Sequence, residues 1–323
     1  MNKLKCASFF AGVGGIDLGF EQTNGYESIY ANEFDKYAVQ TYNSNYNIKV
    51  DTRDISIIPV DEIPDFDVML AGFPCQAFSI AGKQEGFNDS KKRGKLFFEL
   101  IRILKDKKPK IVFLENVKNL VTHDFGNTFD VIQKELKQIG YHIKYQVMNA
   151  TEYGNVPQNR ERIYIVGFLD EQLCNKFQFP CTIPLTTPLS SVIDFHSQVE
   201  DSMYYTPERF QYYNVLTNKV VNQNTVYQWR RTYVRENKSN VCPTLTAAMG
   251  MGGHNVPIVL TDNGIRKITP KECFNLQGFP VDFKLPNISN CQLYKQAGNS
   301  VVVPVIRRIA NQILIALGGD LDA

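Results

Sequence analysis

Up to about residue 170, short apolar runs rich in strand-forming residues alternate with stretches of helical periodicity, and that rhythm restricts the fold more than any other feature. The runs are 4–10, 30–33, 68–73, 111–115, 143–148 and 163–168, each bounded by turn residues. Between them, 97–107 and 128–139 repeat apolar residues every three or four positions, as amphipathic helices do. Strands separated by helices pair in parallel and are covered on both faces. The expected fold class is α/β, a doubly wound and mostly parallel sheet over residues 1–177. Beyond Phe177 the rhythm stops, proline, threonine, asparagine and tyrosine rise, and Gly250, Gly252 and Gly253 fall close together. Residues 178–294 are expected to form a smaller, irregular β-rich domain. The apolar stretch 301–317 reads as a helix with Pro304 in its first turn, so 295–323 is expected to return to the large domain.

A chain of 323 residues accommodates about two domains. Its 43% hydrophobic and 21% charged content excludes a disordered or fibrous protein. No apolar run approaches the roughly 20 residues of a membrane helix, and the start, MNKLKCASFF, lacks a signal-peptide cleavage pattern. A cytoplasmic location without membrane contact is expected. Lysine plus arginine (35) barely exceeds aspartate plus glutamate (33), so net charge singles out no partner. Its distribution says more, because from Lys83 to Lys110 ten basic residues stand against four acidic ones. Such a run is either a solvated face or a segment turned toward anions. The seven cysteines form no CxxC pair and are odd in number, so neither a disulfide framework nor a metal site is expected.

The first strand runs into Phe10-Ala11-Gly12-Val13-Gly14-Gly15, and a helical pattern begins near Ile16. A glycine turn between a first strand and a first helix lets backbone N–H groups approach a ligand closely. The dinucleotide fingerprint GxGxxG is only half met, because the third glycine is displaced to Gly19. Glu33, at the end of the next strand, can accept hydrogen bonds from ribose hydroxyls, and Asp54 from an adenine amino group. Together they indicate an adenosine-containing ligand, although each alone also suits a turn or cap.

The strand 68–71 leads into Gly72-Phe73-Pro74-Cys75-Gln76. In a doubly wound sheet, reactive groups collect at the carboxyl ends of strands, so Cys75 is placed to act as a nucleophile if nearby positive charge raises its thiolate fraction. Glu115, at the end of the neighbouring strand, can face the same crevice or cap the following loop. In Gln158-Asn159-Arg160-Glu161-Arg162, strand alternation puts both arginines on one face, to hold a planar acceptor or a phosphate, or to pair with Glu161.

These segments, in this order, resemble the C5-cytosine-specific DNA methyltransferase family. Its ordered motifs appear as 10–15, Gly72-Phe73-Pro74-Cys75-Gln76, Glu115-Asn116-Val117 and Gln158-Asn159-Arg160-Glu161-Arg162, then 266–272 and Gln296-Ala297-Gly298-Asn299-Ser300-Val301. Length and spacing are similar to those of the compact, HhaI-type bacterial restriction-modification enzymes. The resemblance implies a Rossmann-like domain dependent on S-adenosylmethionine, a target-recognition domain, and methyl transfer to C5 of a cytosine rotated out of duplex DNA. It assigns Cys75 as covalent nucleophile at C6, Glu115 as proton donor at N3, Arg162 as stabiliser of the O2 carbonyl, and Arg160 near the thiol or the DNA backbone. Around the cofactor it places Phe10, Gly12, Gly14, Gly15, Glu33, Asp54, Pro74 and Asn299.

For DNA contact the same resemblance points to Ser79, Lys91, Lys92 and Arg93 in the loop after the nucleophile, and to Thr244, Leu245, Gly252 and Gly253. Arg230, Arg231 and Arg235 join them, because Gln228-Trp229-Arg230-Arg231-Thr232-Tyr233-Val234-Arg235 interleaves aromatic and basic residues and arginine commonly reads guanine. The expected enzyme is a monomer from a bacterium or phage, acting beside a restriction endonuclease. The rivals are a tRNA cytosine-5 methyltransferase of the same fold, a non-catalytic DNA-binding module, and a nicotinamide-dependent oxidoreductase that the displaced glycine disfavours.

Overall fold

The computed structural model describes residues 2–74, 95–251 and 256–319. The chain opens with β1 (Leu4–Phe9), α1 (Gly15–Glu21), β2 (Tyr26–Asn32), α2 (Lys36–Asn45) and β3 (Val68–Gly72). It continues with α3 (Lys95–Lys107), β4 (Ile111–Val117), α4 (Asn127–Gln138), β5 (His142–Asn149), α5 (Ala150–Tyr153), β6 (Gln158–Asn159), β7 (Glu161–Phe168) and α6 (Glu171–Lys176). Then come α7 (Tyr213–Lys219), β8 (Val226–Arg230), β9 (Tyr233–Asn237), β10 (Cys242–Pro243), β11 (Ile258–Thr261) and β12 (Gly264–Lys267). The last helices are α8 (Pro270–Asn275), α9 (Asn290–Asn299) and α10 (Val303–Ala316). Among the described residues no helix is long and apolar enough to cross a membrane.

Two compact units emerge. The first comprises 1–148, 161–181 and 305–323. Its six-stranded sheet has the order β2-β1-β3-β4-β7-β5. Strand β1 pairs in parallel with β2 and β3, β3 pairs in parallel with β4, and β7 runs antiparallel to β4. This is the expected doubly wound, mostly parallel architecture. Alternate residues of the strands serve opposite faces: Ala7, Phe9, Met69 and Ala71 join one apolar core with Leu100 and Leu104 of α3 and Ile132 and Leu136 of α4. Against α1 and β2 lies α10, where a side chain at Gly19 would stand 2.5 Å from the Cβ of Ile306. The displaced third glycine therefore serves helix packing.

Inside the first unit, α1 is fastened by one fully buried carboxylate. Asp17 accepts hydrogen bonds from the hydroxyls of Ser8 on β1 (2.8 Å), Ser28 on β2 (3.2 Å) and Tyr42 on α2 (3.2 Å). Removal from water, reinforced by nearby Glu21, pushes its pKa from 3.8 up to about 6 despite the hydrogen bonds from the two serines.

The second unit comprises 149–160 and 182–304. Its four-stranded sheet has the order β12-β11-β8-β9, and β6 pairs in parallel with β10. Its core gathers Tyr205, Phe210, Leu216, Tyr227, Trp229, Ile258 and Ile265. The segment 266–272 does structural work here: Arg266 grips both oxygens of Glu272 (2.7 and 2.8 Å), wholly buried, while Thr269 and Glu272 form a capping box at the start of α8. The unit exceeds the 178–294 expected from composition because a two-residue strand and one arginine recruit 149–160, and α9 folds with it. Composition carries no signal for such pairing.

Breaking a buried ion pair strands a charge, so Arg266→Ala is expected to lower the unfolding free energy by about 3–5 kcal/mol, read by urea denaturation. Asp17 gives a second expectation. Its folded carboxyl holds a proton more tightly than the unfolded one, so the stability it contributes is complete below pH 3.8 and lost as pH rises through about 6. The span corresponds to about 3 kcal/mol. Denaturation at pH 5 and 7.5 should show a fall that narrows in Asp17→Asn.

Candidate active site

In the first unit the candidate residues converge because of strand direction. The chain leaves β1, β2, β3 and β4 at one edge of the sheet, where the order turns about β1, and such a reversal opens a crevice outside the strand ends. Since β7 is antiparallel, its beginning lies at that same edge, with Arg162 opposite Val117 and Tyr164 opposite Glu115.

Past β1 the backbone turns left-handed at Phe10, Gly12 and Gly14. Gly12 faces open space, with no atom within 4 Å of where a side chain would begin. Its N–H donates to the Glu33 carboxylate (2.9 Å), whose other oxygen accepts from the Asp35 N–H (2.8 Å). Burial raises the pKa of Glu33, and these two donors oppose the rise. Beside it, Phe34 leaves 71% of its surface exposed. Asp54, also exposed, caps a short turn by accepting from the Ser56 N–H (2.9 Å) and hydroxyl (2.7 Å).

At the end of β3, Gly72 sits opposite Glu115, and a side chain there would lie 3.6 Å from a Glu115 carboxylate oxygen. Glu115 is 8% exposed and pairs with Arg162, Nε to carboxylate oxygen, at 3.1 Å. Arg162 also donates to the Glu161 carbonyl (2.8 Å), while the Glu161 carboxylate pairs with Lys118 (2.8 Å). Next along β4, the buried Asn116 amide donates to the Phe73 carbonyl (2.8 Å), fixing the backbone just before the exposed Pro74. Cys75, Ser79, Lys91, Lys92, Arg93, Gly252 and Gly253 lie outside the described residues.

The second unit reassigns two residues. Arg160, only 2% exposed, donates to the carbonyls of Leu245 (2.9 Å), Gly298 (3.1 Å) and Ser300. Through these bonds it clamps 245 and 298–300 within that unit. Leu245 is 1% exposed, with its N–H bound to the Gln158 side chain, so its side chain belongs to the core and cannot touch DNA. Thr244 and Asn299 are exposed, Thr244 donating to the Asn159 carbonyl (2.5 Å).

The hairpin β8–β9 sorts its own residues by alternation. Tyr227 and Trp229 turn into the core, with Val234 packed against it. Gln228 pairs with Arg235 and Arg230 with Tyr233, so these four share the opposite, solvent-facing side. Arg230 donates to the Gln228 amide oxygen (3.0 Å), and Tyr233 is 58% exposed. Arg231 occupies the left-handed turn at φ 54°. Reading from sequence missed Phe34 and gave no individual role to Asn116, Gln228 or Tyr233, although their segments were singled out. The placing of the last two could have been found from a two-residue turn at 231–232, whereas the exposure of Phe34 and the Asn116–Phe73 bond show only in three dimensions.

The doubly wound sheet thus carries a glycine turn, an acid and a guanidinium at its strand ends. The chain belongs to the C-5 cytosine-specific DNA methylase family, whose profile matches residues 4–314. It is 59% identical over 310 residues to the Type II methyltransferase M.Bsp6I of Bacillus sp. (strain RFL6), covering 96% of this chain and 98% of that one. It is 39% identical to the Type II methyltransferase M.HhaI of Haemophilus parahaemolyticus, covering 96% and 94%. Among solved structures, Entamoeba histolytica methyltransferase EhMeth superposes with a TM-score of 0.75 at 21% identity, covering 98% of this chain and 99% of that one, a likeness of fold.

Proposed function

We propose that this chain is the modification enzyme of a restriction-modification system, a Type II methyltransferase that moves a methyl group from S-adenosylmethionine to C5 of a cytosine extruded from duplex DNA. The observation that carries the reading is the Glu115–Arg162 pair at the strand edge where β3 ends at Gly72, three residues before Cys75 in the sequence. The names of the relatives support the reaction class.

The residues present fit the cofactor. Open backbone at Gly12, the Glu33 carboxylate beside it and the exposed Phe34 ring suit an adenosine whose ribose hydroxyls donate to Glu33 and whose base lies on an aromatic face. Phe10, Gly14, Gly15 and Pro74 would border it, and Asp54 would accept from the adenine amino group. When bound, S-adenosylmethionine supplies an electrophilic methyl group on a sulfonium.

Cytosine C5 is too poor a nucleophile to take that methyl unaided. The Cys75 thiolate adds to C6, forming a carbon–sulfur bond and shifting the C5–C6 electron pair onto the ring. Glu115 donates a proton toward N3, and the guanidinium of Arg162 holds the O2 carbonyl as charge gathers there. C5 then bonds to the methyl as the methyl's bond to the donor sulfur breaks, leaving S-adenosylhomocysteine; the C5 proton passes to a base such as water, N3 returns its proton to Glu115, and the thiolate is expelled. A duplex hides the target base, so extrusion precedes chemistry. Ser79, Lys91, Lys92 and Arg93 are assigned to the DNA side of this step.

Recognition is assigned to the polar face of the β8–β9 hairpin. A two-stranded ribbon fits the major groove, where an arginine reads guanine through two parallel hydrogen bonds. Arg230 and Arg235 stand on that face with Gln228, whereas Arg231 at the turn suits phosphate.

Duplex DNA containing 5-fluorocytosine, incubated with the enzyme and S-adenosylmethionine, should become covalently attached, and Cys75→Ser should abolish both attachment and turnover. Glu115→Gln is expected to lower kcat by about 10²- to 10⁴-fold with cofactor affinity nearly unchanged; the reverse split would remove Glu115 from the chemistry. Bisulfite sequencing of host DNA should show relaxed site choice for Arg230→Ala, and a uniform loss across unchanged sites for Arg231→Ala.

A further inference from the structure

The end of α2 presses a tyrosine into the glycine turn. Tyr46 closes the helix, its N–H bonding to the Tyr42 carbonyl (3.0 Å), and its hydroxyl donates to the carbonyl of Gly14 (2.6 Å). That carbonyl also accepts the Leu18 N–H (2.9 Å), the bond that starts α1. Two donors on one oxygen leave the Gly14–Gly15 peptide plane little freedom. The fit is mutual: a side chain on Gly14 would begin 2.4 Å from the Tyr46 ring, and Gly14 itself sits at φ 82°. Glycine is demanded there by the backbone and by the tyrosine together.

Behind Tyr46 the support is rigid. Its ring stacks on Tyr42 at 4.3 Å between centroids, and Tyr42 reaches the buried Asp17. Ala11 of the turn packs with Tyr46 against the cluster of Ala31, Val39, Tyr42 and Val50. Burial, with Asp17 and Glu21 nearby, keeps the Tyr46 phenol well above its ordinary pKa, so the hydroxyl stays a donor at any working pH.

We propose that Tyr46 is a positioning residue for the cofactor: its hydroxyl, anchored through the Tyr42 stack, holds the Gly14 carbonyl so that the 10–15 turn is set for S-adenosylmethionine before it arrives. The inference rests on the assignment of that turn to the cofactor. Preorganisation of this kind lowers the ordering cost of binding and so appears in affinity rather than in the chemical step.

The test uses the full-length enzyme with S-adenosylmethionine titrated by calorimetry, alongside steady-state methylation of duplex DNA. Tyr46→Phe deletes one hydroxyl and keeps the stacked ring. The expected result is a cofactor Kd raised about 3- to 12-fold, the worth of one part-buried hydrogen bond, with kcat at saturating cofactor and the Kd for DNA within about twofold. Tyr42→Phe removes a hydroxyl that does not touch the turn, and should lower Tm while leaving cofactor Kd within about twofold. An unchanged Kd in Tyr46→Phe overturns the proposal, as does an equal rise in both variants, which would make the effect a general loosening. Wild-type enzyme that binds no S-adenosylmethionine would instead overturn the assignment of the turn.

Discussion

The Glu115–Arg162 pair exists because one strand runs against its neighbours. Had β7 been parallel to β4, its first residues would lie at the far edge of the sheet, and Arg162 would be a strand's length away from the acid. The reversal gathers donor, acceptor and backbone outlet at one edge without a long loop. Both side chains are largely withdrawn from water, and an ion pair in that setting depends on each partner staying put. On one side of the pair the Asn116 amide ties the end of β4 to the Phe73 carbonyl, so the sheet itself holds the main chain there.

Much of this was legible in the residues. Alternation of apolar runs and helical periods fixed the doubly wound class, and the helices α3 and α4 begin and end within two residues of their expected positions. Strand β2 starts four residues earlier than its apolar run suggested, because Glu27 and Ser28 interrupt the hydrophobic signal while the backbone pairs with β1 regardless. Glu115 and Arg162 were readable through the family resemblance as two residues serving one base; their pairing with each other was not, since it depends on the register between strands far apart in the chain.

The misreadings have one origin. Arg160 and Leu245 were both expected close to nucleic acid, yet both are buried: Arg160 donates to the carbonyls of Leu245, Gly298 and Ser300, and the Leu245 N–H donates to the Gln158 side chain. A motif records that a residue is needed, not whether it is needed by the ligand or by the fold. The segment 266–272 makes the same point, its charged pair wholly inside the second unit. Gly298 belongs with them, because a side chain there would collide with the backbone of Thr246 at 2.1 Å.

The hairpin β8–β9 separates two kinds of information along the same ten residues. Its inner side contributes Tyr227 and Trp229 to the core, whereas Gln228, Arg230, Tyr233 and Arg235 project outward from an edge ribbon whose last strand has one neighbour in its sheet. Outward replacements therefore leave the hydrophobic interior intact. Descendants of this chain can drift through new outer alphabets while inheriting an unaltered scaffold, so divergence on that side need carry no penalty in foldability.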